Sequence, residues 1–150
     1  MEGSLSCMDD DRAAIAALIY GYAERIDAGD LDGVAAYFAD AVYRSDQGGR
    51  YEGTAAVREV LGALVKLHDD GTPRTKHVTT NLVIDLAPAR DEATARSYFT
   101  VLQATAAIPL QPIVAGRYHD RFVRRDGVWR FADRLIFMDL MGNLSDHLRS

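Results

Sequence analysis

Between Asp10 and Ile26, apolar side chains recur at three- and four-residue steps (Ile15, Leu18, Ile19, Tyr22, Ile26), the period of a helix that buries one stripe. The acidic run Asp9-Asp10-Asp11 ahead of it suits the positive end of a helix dipole, and Ala28-Gly29 ends it. Asp30 is placed to cap a second, shorter helix carrying Leu31, Val34, Ala35 and Phe38. Ala41 to Ser45 reads as a strand and Gln47-Gly48-Gly49 as a turn. Thr54 opens a third helix through Val57, Val60, Leu61, Leu64 and Leu67, with His68 at its end and Asp69 to Pro73 closing it. Beyond Pro73 the period changes to two. Strands are predicted over Thr75 to Leu86, Glu92 to Thr105, Ile113 to Arg125 and Val128 to Met138, with a hairpin signal at Arg125-Asp126-Gly127.

Short connections between those four runs make their pairing antiparallel. Helices followed by an antiparallel meander give an α+β layer design, in which a curved sheet buries its concave face against the helices. The expected organisation is one domain over 10–140, after a flexible polar lead (1–9) and before a polar tail (141–150).

Composition narrows the function classes. A chain of 150 residues can enclose a core and one pocket, and its formal charge of −5 with no long basic block argues against nucleic acid or an anionic membrane as partner. No apolar run approaches the roughly 20 residues that cross a bilayer, so the expected location is the cytoplasm. The single cysteine, Cys7, cannot form an internal disulfide or a multi-cysteine metal site. Glycine-rich phosphate loops, GxSxG elbows and HExxH helices are absent, which leaves proton chemistry without a cofactor as the expectation. Its tools are histidine, carboxylate and tyrosine around an apolar cavity.

Four histidines are available. His68 suits a solvated helix end, and His147 falls in the polar tail. His119 shares a strand face with Arg117 and Arg121, opposite Tyr118 and Phe122, so it belongs on the outer face. His77 alternates with Thr79, Asn81 and Val83, opposite Val78, Thr80, Leu82 and Ile84. A strand histidine is by itself more often structural than functional. Asp27 changes the balance, because a carboxylate at a helix C-terminus is unfavourable with the dipole and needs another purpose, whether a turn cap or a partner.

With Asp27 and His77 placed, the chain resembles the SnoaL-like members of the nuclear transport factor two-like superfamily. The resemblance is to the branch with scytalone dehydratase, bile-acid dehydratase and hexachlorocyclohexane dehydrochlorinase. It rests on Tyr22-Ala23-Glu24-Arg25-Ile26-Asp27, on Ala41-Val42-Tyr43-Arg44, on Arg74-Thr75-Lys76-His77, on Gly116 to Phe122, and on the closing Asp126-Gly127-Val128-Trp129 hairpin. It implies a cone-shaped α+β barrel with a deep apolar cavity, assembled as a homodimer or homotrimer through the outer sheet face. It also implies His77 as general base, Asp27 as the carboxylate that orients and charges it, and Tyr43 and Tyr22 as phenols able to stabilise an enolate-like transition state. Where scytalone dehydratase has a second catalytic histidine this chain has Gln103, and near the acidic residue of the bile-acid dehydratase it has Val101. The leaving-group machinery of those enzymes is therefore not carried over. Tyr118, Gln103, Asn81 and Val101 are the expected substrate-binding lining. The function expected is a cofactor-independent lyase or isomerase acting on an apolar, cyclic or polyketide-like small molecule. The alternative is a non-catalytic binding or scaffold domain, as in the small subunit of ring-hydroxylating dioxygenases.

Overall fold

The computed structural model describes residues 2–149. Helix α1 (Glu2–Asp27) is followed by α2 (Leu31–Ala36), β1 (Val42–Ser45), β2 (Arg50–Glu52) and α3 (Thr54–Leu64), and then by β3 (Thr75–Leu86), β4 (Glu92–Gln103), β5 (Gln111–Arg125) and β6 (Val128–Met141). The six strands form one sheet in the order β2-β1-β6-β5-β4-β3. The four long strands make the expected antiparallel meander, whereas β1 lies parallel to β6 with Val42 opposite Asp133. The curved sheet wraps the helices, and Ile15, Ile19, Tyr22, Val34, Phe38, Val57, Phe99, Phe122 and Phe131 share the enclosed core. This is the cone-shaped α+β barrel.

Three departures from the sequence pattern matter. Helix α1 begins at Glu2, ahead of Asp10, so Asp11 lies inside the helix and not at its N-terminus. Asp11 is nearly buried, accepts hydrogen bonds from Trp129 Nε1 at 3.0 Å and Arg90 Nε at 2.7 Å, and ties α1 to the turn ends of the long strands. Helix α3 stops at Leu64, and His68 instead bonds the carbonyl of Asp146 through Nε2 at 2.8 Å. The polar tail after Met141 packs back onto the body: Lys66 N–H donates to the carbonyl of His147, and Arg149 N–H to that of Leu64, both at 2.8 Å.

Two bulges redirect side chains. In β3 the register shifts between Thr80 and Val83, with Asn81 at φ +53°. One extra residue reverses the alternation. Thr75, His77 and Thr79 face inward before the bulge, and Leu82, Ile84 and Leu86 face inward after it. In β6 Ala132 is passed over between the pairs Phe122–Phe131 and Arg121–Asp133, which turns Arg134 into the interior where uninterrupted alternation from Phe131 would point it outward.

Candidate active site

Asp27 is the last residue of α1, and β3 runs past it with Thr75 and His77 inward. The carboxylate accepts from His77 Nδ1 at 2.6 Å, from the His77 backbone N–H at 2.8 Å and from the Thr75 hydroxyl at 2.8 Å. Both side chains are nearly buried, His77 at 7% and Asp27 at 10% exposure. Burial works to raise the Asp27 carboxyl, but the hydrogen bonds and charge of His77, with the Thr75 hydroxyl, outweigh it and hold the group below the usual carboxylate value. An ionised carboxylate can only accept, so in the neutral imidazole the His77 proton sits on Nδ1 and Nε2 keeps its lone pair.

His77 lines an apolar cavity of about 330 Å³ between the sheet, α1 and α3. Ile26, Val60, Leu61, Phe99, Val101, Val114 and Met138 supply apolar wall, and Arg44 of β1 with Gln47 and Gly48 of the β1–β2 turn also line it. Tyr22, Tyr43 and Tyr118 bring the polar atoms. Tyr22 and Tyr43 share a hydroxyl–hydroxyl hydrogen bond of 2.9 Å, so one of the two keeps a proton free for another acceptor. Burial, the largest influence on each, raises all three phenols above the usual tyrosine value, and at neutral pH they are protonated donors.

Among the expected lining residues, Tyr118 and Val101 do face the cavity. Asn81 does not. The bulge places it on a shallow outer groove with Arg96, Tyr98, Arg117 and His119. Gln103 is buried but faces the tail, where its amide donates to the carbonyls of Pro73 and Asp146, each at 2.9 Å. His119 is on the outer face, as its strand phase predicts, packed edge-on to Phe137.

Two features escaped the sequence reading. A fully buried ion pair, Arg134 Nε and Nη2 to Asp120 at 2.8 and 2.9 Å, lies under the tyrosines, with the guanidinium 3.8 Å from the Tyr118 ring centre and 4.2 Å from that of Tyr22. Asp120 carried a signal, since it alternates with Tyr118 and Phe122 on the core face and a carboxylate there requires a cation. The second feature is His147. The tail delivers it to the cavity wall with its ring centre 6.0 Å from that of His77 and with 7% of the residue exposed. Among the described residues, no group of three or more metal-binding side chains converges, and no helix is long and apolar enough to cross a membrane.

Comparison with known proteins places this geometry in context. A function-unknown protein of Mycobacterium tuberculosis, Rv3472, is 31% identical, with a TM-score of 0.75 over 91% of this chain and 76% of that one. LinA is 24% identical with a TM-score of 0.73, over 95% and 94% of the two chains. A putative scytalone dehydratase from Novosphingobium aromaticivorans is 23% identical with a TM-score of 0.70, over 93% and 89%. At those lower identities the likeness is one of fold. Among curated proteins, none matches the sequence. The SnoaL-like domain model matches residues 10–135, most of the chain, and the protein belongs to the SnoaL-like domain family.

Proposed function

We propose that the protein is a cofactor-independent lyase or isomerase that removes an acidic C–H proton from an apolar, cyclic small molecule bearing a carbonyl group. The observation that carries this reading is the 2.6 Å bond between Asp27 and His77 Nδ1 at the wall of an apolar cavity. A scaffold has no use for such a pair. His77 Nε2 takes the proton from the carbon next to the carbonyl. The C–H electron pair becomes the carbon–carbon double bond of an enolate, and the carbonyl oxygen takes the negative charge. Asp27 stabilises the imidazolium that results. The free proton of the Tyr22–Tyr43 pair is the donor for the enolate oxygen, and one donor of this kind contributes about 3 kcal/mol to a transition state. The proton then returns to a different carbon, giving isomerisation. Alternatively, the enolate pair re-forms the carbonyl and expels a β-substituent, which takes up the proton held on His77 Nε2 and leaves the imidazole neutral again. The outer sheet face, with Val78, Val83 and Tyr98 exposed, is the surface proposed for the homodimer or homotrimer.

The test is exchange of the α-hydrogens of 1-tetralone in D₂O, read by mass spectrometry. Wild type is expected to exchange them above the solvent rate, and His77→Ala and Asp27→Asn to lose at least ten-fold. In proton NMR the far-downfield signal of the His77 Nδ1 hydrogen should disappear in Asp27→Asn. Exchange that persists in folded His77→Ala removes His77 as the base.

A further inference from the structure

The His147 ring closes the cavity from the tail side, and its surroundings there are Val65, Leu144, Leu148 and Met141. Into that apolar wall it brings the one polar ring. Its Nδ1 is buried without a hydrogen-bond partner among the described residues. A buried imidazole nitrogen with no protein partner is unusual, because an unpaired buried polar atom costs free energy that an apolar side chain of the same shape avoids.

The ring is not loosely held. Asp146, immediately before it, is fastened by its carbonyl to Gln103 Nε2 at 2.9 Å and His68 Nε2 at 2.8 Å. Its carboxylate accepts from the Thr105 hydroxyl at 2.7 Å and pairs with Lys66 at 3.5 Å. The flanking backbone adds bonds from Lys66 to His147 and from Arg149 to Leu64. Four side chains and two backbone bonds therefore fix a ring whose Nδ1 has no partner among the described residues. Burial, with the nearby His77 and His68, pulls this imidazole down to about 4 against the pull of Asp27 the other way, so at neutral pH it is uncharged, with one N–H donor and one acceptor.

We propose that His147 is a substrate-binding residue that hydrogen-bonds a second oxygen of the ligand, a hydroxyl or carbonyl, and so restricts the substrate to oxygenated cyclic molecules that meet both it and His77 in the cavity. The proposal rests on the cavity being the substrate site. A neutral imidazole can act as a donor to a substrate oxygen without placing a full charge in an apolar pocket. The ring centres lie 6.0 Å apart at 62°, an edge contact that sets the base and the oxygen-binding ring side by side on the cavity wall, where one ligand can meet both. Gln103 enters as a positioning residue, since its amide holds the turn that presents His147.

The experiment compares 1-tetralone with 4-hydroxy-1-tetralone, whose added hydroxyl lies across the ring from the ketone, by calorimetric or NMR titration of wild type, His147→Phe and His147→Asn. One net hydrogen bond is expected to favour the hydroxyketone about 3- to 10-fold in wild type. His147→Phe should abolish that preference. His147→Asn, which keeps a donor and an acceptor, should restore part of it. On adding the hydroxyketone the His147 ring resonances should shift more than on adding 1-tetralone. Equal affinities in wild type, a preference that survives in His147→Phe, or no binding of either ketone overturns the proposal. Deuterium exchange into the same ketones separates this from the fate of the reaction: exchange with no hydroxyl preference removes His147 alone, whereas no exchange and no binding removes the cavity as a site for this class.

Discussion

Acidification should loosen the tail before it unfolds the body, and His147 sets the scale. In the folded protein its imidazole lies at about 4, against 6.5 for a solvated one. The folded pKa is the lower of the two, so the unfolded or detached state binds more protons below about pH 6.5, and stability falls as pH decreases. The contribution is intact above pH 6.5, amounts to a loss of about 2 kcal/mol at pH 5, and reaches about 3 kcal/mol once the pH is below 4. The Asp27 carboxyl is also held down in the folded state, but its loss comes below the ordinary carboxylate value, outside this window. The assay is urea unfolding of wild type and His147→Asn at pH 7, 6 and 5, together with hydrogen exchange at the Lys66 and Arg149 amides that tie the tail down. Wild type should lose about 2 kcal/mol more than the variant between pH 7 and 5, or show at least ten-fold faster exchange at those two amides. Parallel pH slopes and unchanged exchange would refute the reasoning, because a buried neutral imidazole cannot be protonated in place at no cost.

Two further outcomes follow from the buried groups. Arg134→Met alone leaves Asp120 buried without its cation and should cost about 3–5 kcal/mol, whereas Arg134→Met with Asp120→Leu should recover most of it; thermal or urea unfolding of the three variants decides this. Asn81 occupies a left-handed conformation at φ +53°, so Asn81→Val should cost about 1–2 kcal/mol in urea unfolding while Asn81→Gly stays within about 0.5 kcal/mol of wild type.

How far the sequence reached depended on whether a residue obeyed a single local period. The limits of β3 are those that alternation predicted, and the Asp126-Gly127 hairpin shows the positive φ angles its residues favour. Asp27 was legible because a carboxylate at a helix C-terminus conflicts with the dipole, and the structure gives it His77 and Thr75 as partners. Asn81 was misplaced because a bulge is a phase error that alternation alone cannot date. Yet the run held a clue: His77 and the apolar Leu82 and Ile84 could share the interior only if a residue was inserted between them. Arg134 was missed for the same reason at Ala132. The tail was missed on other grounds, since its hold on the body depends on Lys66 and on Gln103 and Thr105, two places far from it in the chain, and no local pattern marks it. The parallel pairing of β1 with β6 is likewise a long-range fact, set by the core and not by the loop between neighbours.

Helix α1 carries a fixed carboxylate near each end of its buried stretch, Asp11 held by Trp129 and Arg90, and Asp27 held by β3. They are sixteen residues apart, about 24 Å at 1.5 Å per residue. The helix thereby behaves as a rod pinned at two points to the same sheet, and a sheet that flexed would have to break one pin or bend the rod. The position of the Asp27 carboxylate is in this sense surveyed from the far end of the molecule, so that disturbing Arg90 or Trp129 becomes a way to detune the proposed base, His77, without touching the cavity.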